Sequence, residues 1–181
     1  EYPAAAVAGL MDYHRRNGGL SRYVKIRYFF EQIRGEKITE EQVMALAEKF
    51  SAIMRRELVN PALLDANTLA FIRSVYKDHP LHIVSGSDGN ELRFLCEELK
   101  ISQYFLSMEG SPTPKIKLVA DLLTKYGYVA GETVLIGDSV NDYEAAKQNG
   151  ITFWGYNNPE LRHAGSFYIE DFKEVKQYLA N

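Results

Sequence analysis

The stretch VLIGDSVNDYEAA, from Val134 to Ala146, joins a short apolar segment to a dense group of acidic and amide side chains. The apolar part is typical of a buried β-strand, and the polar part begins a helix that ends at Gly150. Asp138 closes the strand, and Asp142 lies about one helical turn further on. Because parallel sheets bind ligands at the carboxyl ends of their strands, the stretch predicts an acidic site at that edge.

The two carboxylates of this stretch suit a divalent cation. Mg²⁺ prefers hard oxygen ligands that leave room for water, so Asp138 and Asp142 predict a magnesium site. A structural role fits the same residues, because Ser139 and Asp142 also match the capping box of a helix N-terminus. The stretch by itself leaves both interpretations open.

Three apolar segments share this strand character, and helical segments of about ten residues lie between them. They are LHIVS at residues 81–85, TVLIG at 133–137 and ITFWGY at 151–156. Strands that alternate with helices are typical of βα units, whose strands run parallel. The sequence therefore predicts an α/β fold with a Rossmann-like, mostly parallel sheet flanked by helices. A further short strand is expected at YFLS, residues 104–107.

The first part of the chain differs from the rest because its patterns are helical throughout. We expect residues 1–60 to form a small all-helical domain and residues 61–181 to form the α/β domain. The capping-box sequence TEEQ, Thr39–Gln42, starts a helix with a long apolar stripe. We expect this stripe to be core, and its members are Val43, Leu46, Ala47, Phe50, Ile53 and Met54.

Two residues of the α/β domain are candidates for binding an anion. Ser85 ends a predicted strand and precedes Gly86, and a hydroxyl, a glycine and a helix start form a good anion cradle. Lys115 falls at a helix start, where the helix dipole disfavours a cation. The ordinary alternative for Ser85 is a polar turn with a helix cap, and for Lys115 it is a solvated surface position. If Lys115 does not bind the anion, Lys117 is the substitute lysine. Together with Asp138 they supply the hydroxyl, cation and metal ligand that a phosphoryl group needs.

The composition disfavours several other classes of function. The 181 residues are 46% apolar and 25% charged, and their net charge of −3 offers no overall field for nucleic acid or an anionic membrane. No segment approaches the ~18 consecutive apolar residues of a membrane span. The single cysteine, Cys96, can form no disulfide within the chain, and the first residues do not read as a signal peptide. We therefore expect a cytoplasmic protein.

The order of these motifs resembles the haloacid dehalogenase superfamily of hydrolases, in its helical-cap, phosphoglycolate phosphatase-like branch. HIVSGS is similar to the second motif of the family, with Ser85 as its hydroxyl, and GSPTPK to the third, with Lys115 as its lysine. IGDSVND is similar to the fourth, with Asp138 and Asp142 as its acids. The resemblance covers about residues 61–156, and the helices before them match the family's cap. It implies that Ser85 and Lys115 bind the transferring phosphoryl group.

One motif of the family is missing from the sequence. The resemblance implies D-x-D-x-[TV] at the end of the first core strand, where one aspartate is the nucleophile and the other is the general acid/base. Asp12 falls in a predicted helix, and Asp65 and Asp78 end no apolar strand. We therefore expect the first strand and its nucleophile to lie upstream of the given sequence. The sheet would then have a gap beside residues 81–85 and 133–137, and the chain alone would be inactive.

The resemblance implies Mg²⁺-dependent hydrolysis of a small phosphate monoester, a sugar phosphate or a phosphoglycolate-like acid, through an aspartyl-phosphate. A phosphomutase of the same superfamily shares these motifs. A phosphate- or partner-binding module that has lost the nucleophile is the alternative from another class. Dehalogenase activity is disfavoured, because such enzymes do not need the metal pair of GDSVND. Arg22 is the candidate in the cap for binding substrate. A solvated basic surface explains its segment, NGGLSRYVKIRYFF at residues 17–30, equally well.

Overall fold

A computed structural model describes residues 2–179 of the chain. The helices are α1 Ala4–Arg16, α2 Arg22–Tyr28, α3 Glu40–Leu58, α4 Ala66–Val75, α5 Gly89–Glu98, α6 Lys115–Tyr126, α7 Val140–Gln148 and α8 Lys176–Leu179. The strands are β1 His82–Asp88, β2 Ser107–Ser111, β3 Val134–Gly137, β4 Thr152–Tyr156 and β5 Phe167–Ile169. Within the described residues, none of these helices has both the length and the apolar character that crossing a membrane requires.

The strands pair in parallel, which confirms the predicted α/β class. β1 pairs with β2, and β3, β4 and β5 form a second sheet in that order. Among residues 2–179, β1 and β3 each pair on one side only, so each leaves one edge without a backbone partner. These are the two strands beside which the sequence analysis expects a gap.

One apolar cluster joins the two sheets. Its buried members come from α6, α7 and the surroundings of β4, and they are Val119, Ala145, Ala146, Ile151, Phe153 and Leu161. Val84 of β1 and Leu135 of β3 both pack against this cluster. Because α6 packs on β1 and β2 while α7 packs on β3 and β4, the contact between these helices holds the sheets side by side.

A second apolar cluster covers the other side of the β3–β5 sheet. Trp154 and Ile169 come from the sheet, and Phe172 and Val175 come from the segment that leads into α8. Phe71 of α4 packs against the same group, so helices flank this sheet as the sequence predicts.

The helical region that precedes the α/β part packs on it through α2, which contacts β1, and α3, which contacts α5. The predicted capping box at the start of α3 is confirmed. The expectation that the apolar stripe of α3 is core is wrong for Phe50 and Ile53, which are 46% and 48% exposed. The buried residues of α3 are four positions apart and are Val43, Ala47 and Ser51. Phe50 and Ile53 lie on the part of the apolar face next to this buried line.

The strand expected at residues 104–107 begins later than predicted. Tyr104 closes a short 3₁₀ turn, Leu106 is 62% exposed, and β2 runs from Ser107 to Ser111. The sequence SMEGS has weak strand propensity, and its pairing with β1, which places Met108 opposite Ile83, determines its conformation.

His82, at the start of β1, links three elements. Its Nδ1 lies 2.9 Å from the Ser107 hydroxyl and its Nε2 lies 2.9 Å from the Tyr128 hydroxyl. Burial lowers the pKa of His82 below its ordinary value of 6.5, with the Glu109 charge acting to raise it and Lys125 acting to lower it. The folded state therefore favours the neutral imidazole.

The free energy of unfolding should accordingly fall in acid. Because the unfolded chain takes up the proton at higher pH than the folded chain, this stabilisation is present above about pH 6.5 and is lost as the pH falls through the lower, folded-state pKa. In urea unfolding at about pH 8 and about pH 5, the wild type should lose more stability than His82→Gln. The pKa of His14 is lowered too, by burial and Lys25, but His14 stays in both proteins. Equal losses in the two proteins would contradict the prediction.

Candidate active site

The loops that follow β1 and β3 meet at one edge of the fold, with the connection between α1 and α2 packed on both. A Cβ built on Gly19 of this connection would lie 2.5 Å from the Ser139 hydroxyl oxygen and 2.9 Å from Asn141 Cβ. A Cβ built on Gly86 would overlap the carbonyl oxygen of Gly19. At Gly86 the backbone of Gly19 leaves no room for a Cβ, whereas at Gly19 the obstacle is the side chains of Ser139 and Asn141. The helical region covers the edge where the predicted site residues lie.

Lys115 and Asp142 form an ion pair at this edge. Their side chains are only 12% and 8% exposed, so the solvated-surface alternative for Lys115 is wrong. Lys117 instead pairs with Asp121 at 2.8 Å, and the Lys117 side chain is 64% exposed. The structure thus brings Lys115 to the edge with Asp142 and leaves Lys117 on the outer surface of α6.

Asp142 also caps α7. Its Oδ2 accepts hydrogen bonds from the Ser139 N–H at 3.0 Å and from the Ser139 hydroxyl at 2.7 Å. The Ser139 Oγ in turn accepts from the Asp142 N–H at 3.3 Å, which confirms the capping box. The other carboxylate oxygen, Oδ1, contacts Lys115 Nζ. Asp142 is therefore rigidly held, and both of its oxygens have protein partners.

Asp138 is in a different environment, although it lies only four residues earlier. It follows the last residue of β3 and is exposed. Its backbone carbonyl accepts a hydrogen bond from Asn158 Nδ2 at 2.9 Å, which ties this loop to the one after β4. Asp138 is thus the more accessible of the two carboxylates predicted to bind a metal.

The donors at this edge fit a magnesium ion through Asp138. In the part of the chain that the structure describes, no three His, Cys, Asp or Glu side chains are placed to hold one ion together. Mg²⁺ is nevertheless commonly bound through one or two carboxylates, with water and phosphate oxygens completing its shell. The exposed Asp138 is compatible with that mode, and metal binding by Asp138 and Asp142 stays a prediction.

Ser85 lies in the last part of β1. Its Oγ accepts a hydrogen bond from the Ser87 N–H at 3.1 Å, and Asp88 then caps α5. The helix cap of the alternative is present at Asp88, but residues 85–88 belong to β1 and form no separate turn. The serine hydroxyl still has its own hydrogen to donate, so this position is compatible with binding a phosphate oxygen. A binding role for Ser85 and Gly86 stays a prediction.

Arg22 makes its polar contacts within the protein. Its guanidinium forms two parallel hydrogen bonds of 2.6 and 2.7 Å with Glu91, and Nη1 also donates to the Ser51 hydroxyl at 2.6 Å. The guanidinium carbon lies 4.7 Å from the centre of the Phe50 ring. Only 10% of the Arg22 side chain is exposed, so a solvated surface does not describe it. Substrate binding by Arg22 stays a prediction that these contacts do not support.

The sequence analysis overlooked Asn158. Its Oδ1 accepts from the Glu160 N–H at 3.1 Å, which leaves Nδ2 to hold the Asp138 carbonyl. The available signal was its position, since Asn158 follows the predicted strand ITFWGY at the same sheet edge.

The other aspartates considered from the sequence do not end strands. Asp12 lies within α1, and Asp65 caps α4 by accepting a hydrogen bond from the Thr68 N–H at 2.7 Å. Asp78 lies in the turn after α4. That the nucleophile of the family is none of these three aspartates stays a prediction.

Comparisons with known proteins agree with this fold. Residues 12–156 match the family of haloacid dehalogenase-like hydrolases, and the chain therefore belongs to this family. A predicted phosphoglycolate phosphatase from Haemophilus somnus has a similar structure, with a TM-score of 0.74, 17% identity, and coverage of 96% of this chain and 86% of that one. The magnesium-bound HAD-hydrolase YfnB from Bacillus subtilis gives a TM-score of 0.70 at 14% identity, with coverage of 100% and 85%.

Curated relatives are similar in sequence as well. A phosphoglycolate phosphatase from Pasteurella multocida is 24% identical over 157 residues, which are 80% of this chain and 70% of that protein. A 5'-nucleotidase from Pseudomonas aeruginosa is 26% identical over 116 residues, which are 58% of this chain and 52% of that protein. The match thus spans about half the length of the Pseudomonas protein. The chain thus belongs to a family of hydrolases, and these two relatives are named as a phosphoglycolate phosphatase and a 5'-nucleotidase.

Proposed function

We propose that this protein hydrolyses a small phosphate monoester in a Mg²⁺-dependent reaction in the cytoplasm. The observation that carries the proposal is the buried ion pair between Lys115 and Asp142, close in the chain to the exposed Asp138 where β3 ends. Phosphoryl transfer depends on positioning and charge stabilisation, which a fixed cation and a metal ligand supply. The names of the Pasteurella and Pseudomonas relatives support a phosphate monoester as the substrate class.

Each residue has a defined task in this proposal. Lys115 Nζ, the Ser85 hydroxyl and the Gly86 N–H bind oxygens of the transferring phosphoryl group. Asp142 holds Lys115 in place through the ion pair. Asp138 would hold Mg²⁺, which when bound neutralises charge on the phosphate oxygens.

We propose that the nucleophile is an aspartate outside the given sequence, carried on a strand that pairs between β1 and β3. The support is that, among residues 2–179, these two strands each have an unpaired edge. A buried N–H or C=O group left unsatisfied costs about 1–3 kcal/mol, so an inserted parallel strand would stabilise both edges. It would end beside the loops of Gly86 and Ser139.

The reaction then has two steps. The aspartate oxygen attacks phosphorus and a bond to the carboxylate forms; the bond to the leaving oxygen breaks, and that oxygen takes a proton from the second aspartate of the missing motif, which would act as general acid. Water next gives a proton back to that second aspartate and attacks the aspartyl-phosphate, which releases inorganic phosphate and restores the nucleophilic carboxylate. A sugar phosphate or a phosphoglycolate-like acid is the substrate class we propose.

Hydrolysis of p-nitrophenyl phosphate by the full-length gene product tests this function. We expect turnover with Mg²⁺ that EDTA abolishes, and no turnover from residues 1–181 expressed alone. A full-length product that hydrolyses no phosphate monoester in the presence of Mg²⁺ would contradict the proposed function. Turnover by residues 1–181 alone would contradict only the external nucleophile.

A crystal soaked in phosphate should hold the anion between Ser85 Oγ and Lys115 Nζ. Ser85 lies in the last part of β1 and Lys115 follows the loop after β2, and these two strands are paired neighbours. Ser85→Ala should raise the inhibition constant for inorganic phosphate about tenfold, because one hydrogen bond to a charged group is lost. An anion bound at Lys117 instead would show that the phosphate site has been placed wrongly.

A further inference from the structure

Arg22 and Tyr23, which begin α2, both contact the first turn of α5. Besides the paired hydrogen bonds of Arg22 with Glu91, the Tyr23 hydroxyl donates to Asp88 Oδ2 at 2.6 Å. Glu91 is only 2% exposed, so water is largely excluded from the ion pair. The helical region therefore holds the helix start that directly follows Ser85–Asp88, the last residues of β1, which we call the candidate phosphate-binding loop.

Asp88 uses its two carboxylate oxygens for different partners. Oδ1 accepts from the N–H groups of Asn90 and Glu91, both at 3.0 Å, while Oδ2 accepts from Tyr23. Burial and the hydrogen bond to Asp88 raise the pKa of Tyr23 to about 12. Although burial acts to raise it, the hydrogen bonds from Tyr23 and the backbone lower the pKa of Asp88. At neutral pH the phenol is therefore protonated to donate and the carboxylate is ionised to accept.

The candidate phosphate-binding loop is held from both ends by the helical region. At its far end Asp88 accepts from Tyr23, and near its start Gly86 abuts the carbonyl of Gly19. Inside the loop, the Ser87 N–H donates to Ser85 Oγ at 3.1 Å. Movement of Asp88 would therefore change the direction of the Ser85 hydroxyl and of the Gly86 N–H.

We propose that Tyr23 is a positioning residue for the candidate phosphate-binding loop. Its hydroxyl fixes Asp88 and thereby the geometry of Ser85 and Gly86, while the pair of Arg22 with Glu91 anchors the same helix turn. Neither Tyr23 nor Arg22 contacts the substrate in this role. The claim that this loop sets the affinity for phosphate rests on the proposed function. The claim that Tyr23 keeps the loop rigid does not.

Amide hydrogen exchange of the full-length gene product tests the mechanical link. In Tyr23→Phe we expect the amides of residues 85–91 to exchange about tenfold faster, because the hydrogen bond that holds Asp88 is gone. The matched control is Tyr28→Phe, which removes a hydroxyl from the same helix, where the Tyr28 ring stacks on Tyr13. Tyr28→Phe should leave the exchange rates of residues 85–91 unchanged. Exchange in Tyr23→Phe within about twofold of the wild type would overturn the proposal.

Inhibition by inorganic phosphate separates positioning from simple stabilisation. In Tyr23→Phe we expect its inhibition constant, and KM for p-nitrophenyl phosphate, to rise about tenfold while kcat changes less. A merely structural role would lower the urea midpoint and leave both constants unchanged, which would also overturn the proposal. If Tyr23 acts through Asp88, the double variant Tyr23→Phe/Asp88→Ala should have an inhibition constant and a KM within about twofold of those of Asp88→Ala alone. A wild type without phosphatase activity would contradict the proposed function, and the exchange measurement would still decide the role of Tyr23.

Discussion

Asp138→Asn is expected to lower kcat for p-nitrophenyl phosphate about a hundred- to thousandfold, the effect of removing a major electrostatic group from a reaction site. Asp138 is the exposed carboxylate at the end of β3, and the amide keeps its shape without its charge. Its Mg²⁺ affinity, measured by isothermal titration of the full-length gene product, should fall in parallel. Since the backbone carbonyl of residue 138 still accepts from Asn158, the fold should be unaffected.

The matched control for this change is Asp121→Asn. Asp121 is 56% exposed and pairs with Lys117 on the outer surface of α6, so the same loss of charge occurs outside the candidate site. We expect unchanged kcat and unchanged Mg²⁺ affinity in this variant. Equal Mg²⁺ affinity in the wild type and Asp138→Asn would remove the metal-binding role from Asp138.

Lys115→Met is expected to impair both stability and activity. Asp142 would remain only 8% exposed without its cation, and breaking a buried ion pair from one side costs about 3–5 kcal/mol of unfolding free energy. The hydrogen bonds from Ser139 remain, so the lower end of that range is expected. Urea unfolding measures the loss of stability. Inhibition by inorganic phosphate measures anion binding at the site, and we expect this inhibition to be largely lost.

Lys117→Met and a double variant complete this test. Lys117 lies on the same helix two residues away, but its exposed pair with Asp121 should contribute no more than about 1 kcal/mol. The double variant Lys115→Met/Asp142→Asn should recover much of the stability and none of the activity, because the unpaired charge is gone and the cation is still missing. A Lys117→Met protein that loses phosphate inhibition would transfer the role to Lys117.

Local sequence signals were sufficient for the order of elements and for one part of the site. The apolar runs at residues 81–85 and 133–137 reappear as β1 and β3, because their composition favours a strand and each pairs with a parallel neighbour. The strand-end rule then placed Asp138 at a sheet edge. The pairing of Lys115 with Asp142 was not predicted, but the anomaly of a lysine at a helix start indicated that its charge was used within the fold.

The features that were missed depend on contacts between distant segments. Tyr23 and Asp88 are 65 positions apart, and no local pattern in either segment specifies the other. The same holds for Arg22 and Glu91, which are 69 positions apart. Which side of α3 is buried likewise depends on its packing against α5, so the apolar character of Phe50 could not show that it lies outside the core. Periodicity identifies an apolar face but not its partner.

The phosphate balance during turnover tests the assignment as a phosphatase most directly. The full-length gene product would be incubated with Mg²⁺ and, separately, with hexose phosphates, phosphoglycolate and a nucleoside 5'-monophosphate, with inorganic phosphate and remaining ester both measured. For at least one substrate we expect one phosphate released per ester consumed over many turnovers, and release slowed about a hundred- to thousandfold in Asp138→Asn. An isomeric sugar phosphate formed without free phosphate would instead indicate a phosphomutase. Binding of the esters with no chemical change would indicate a phosphate-binding module, and either result would contradict a phosphatase.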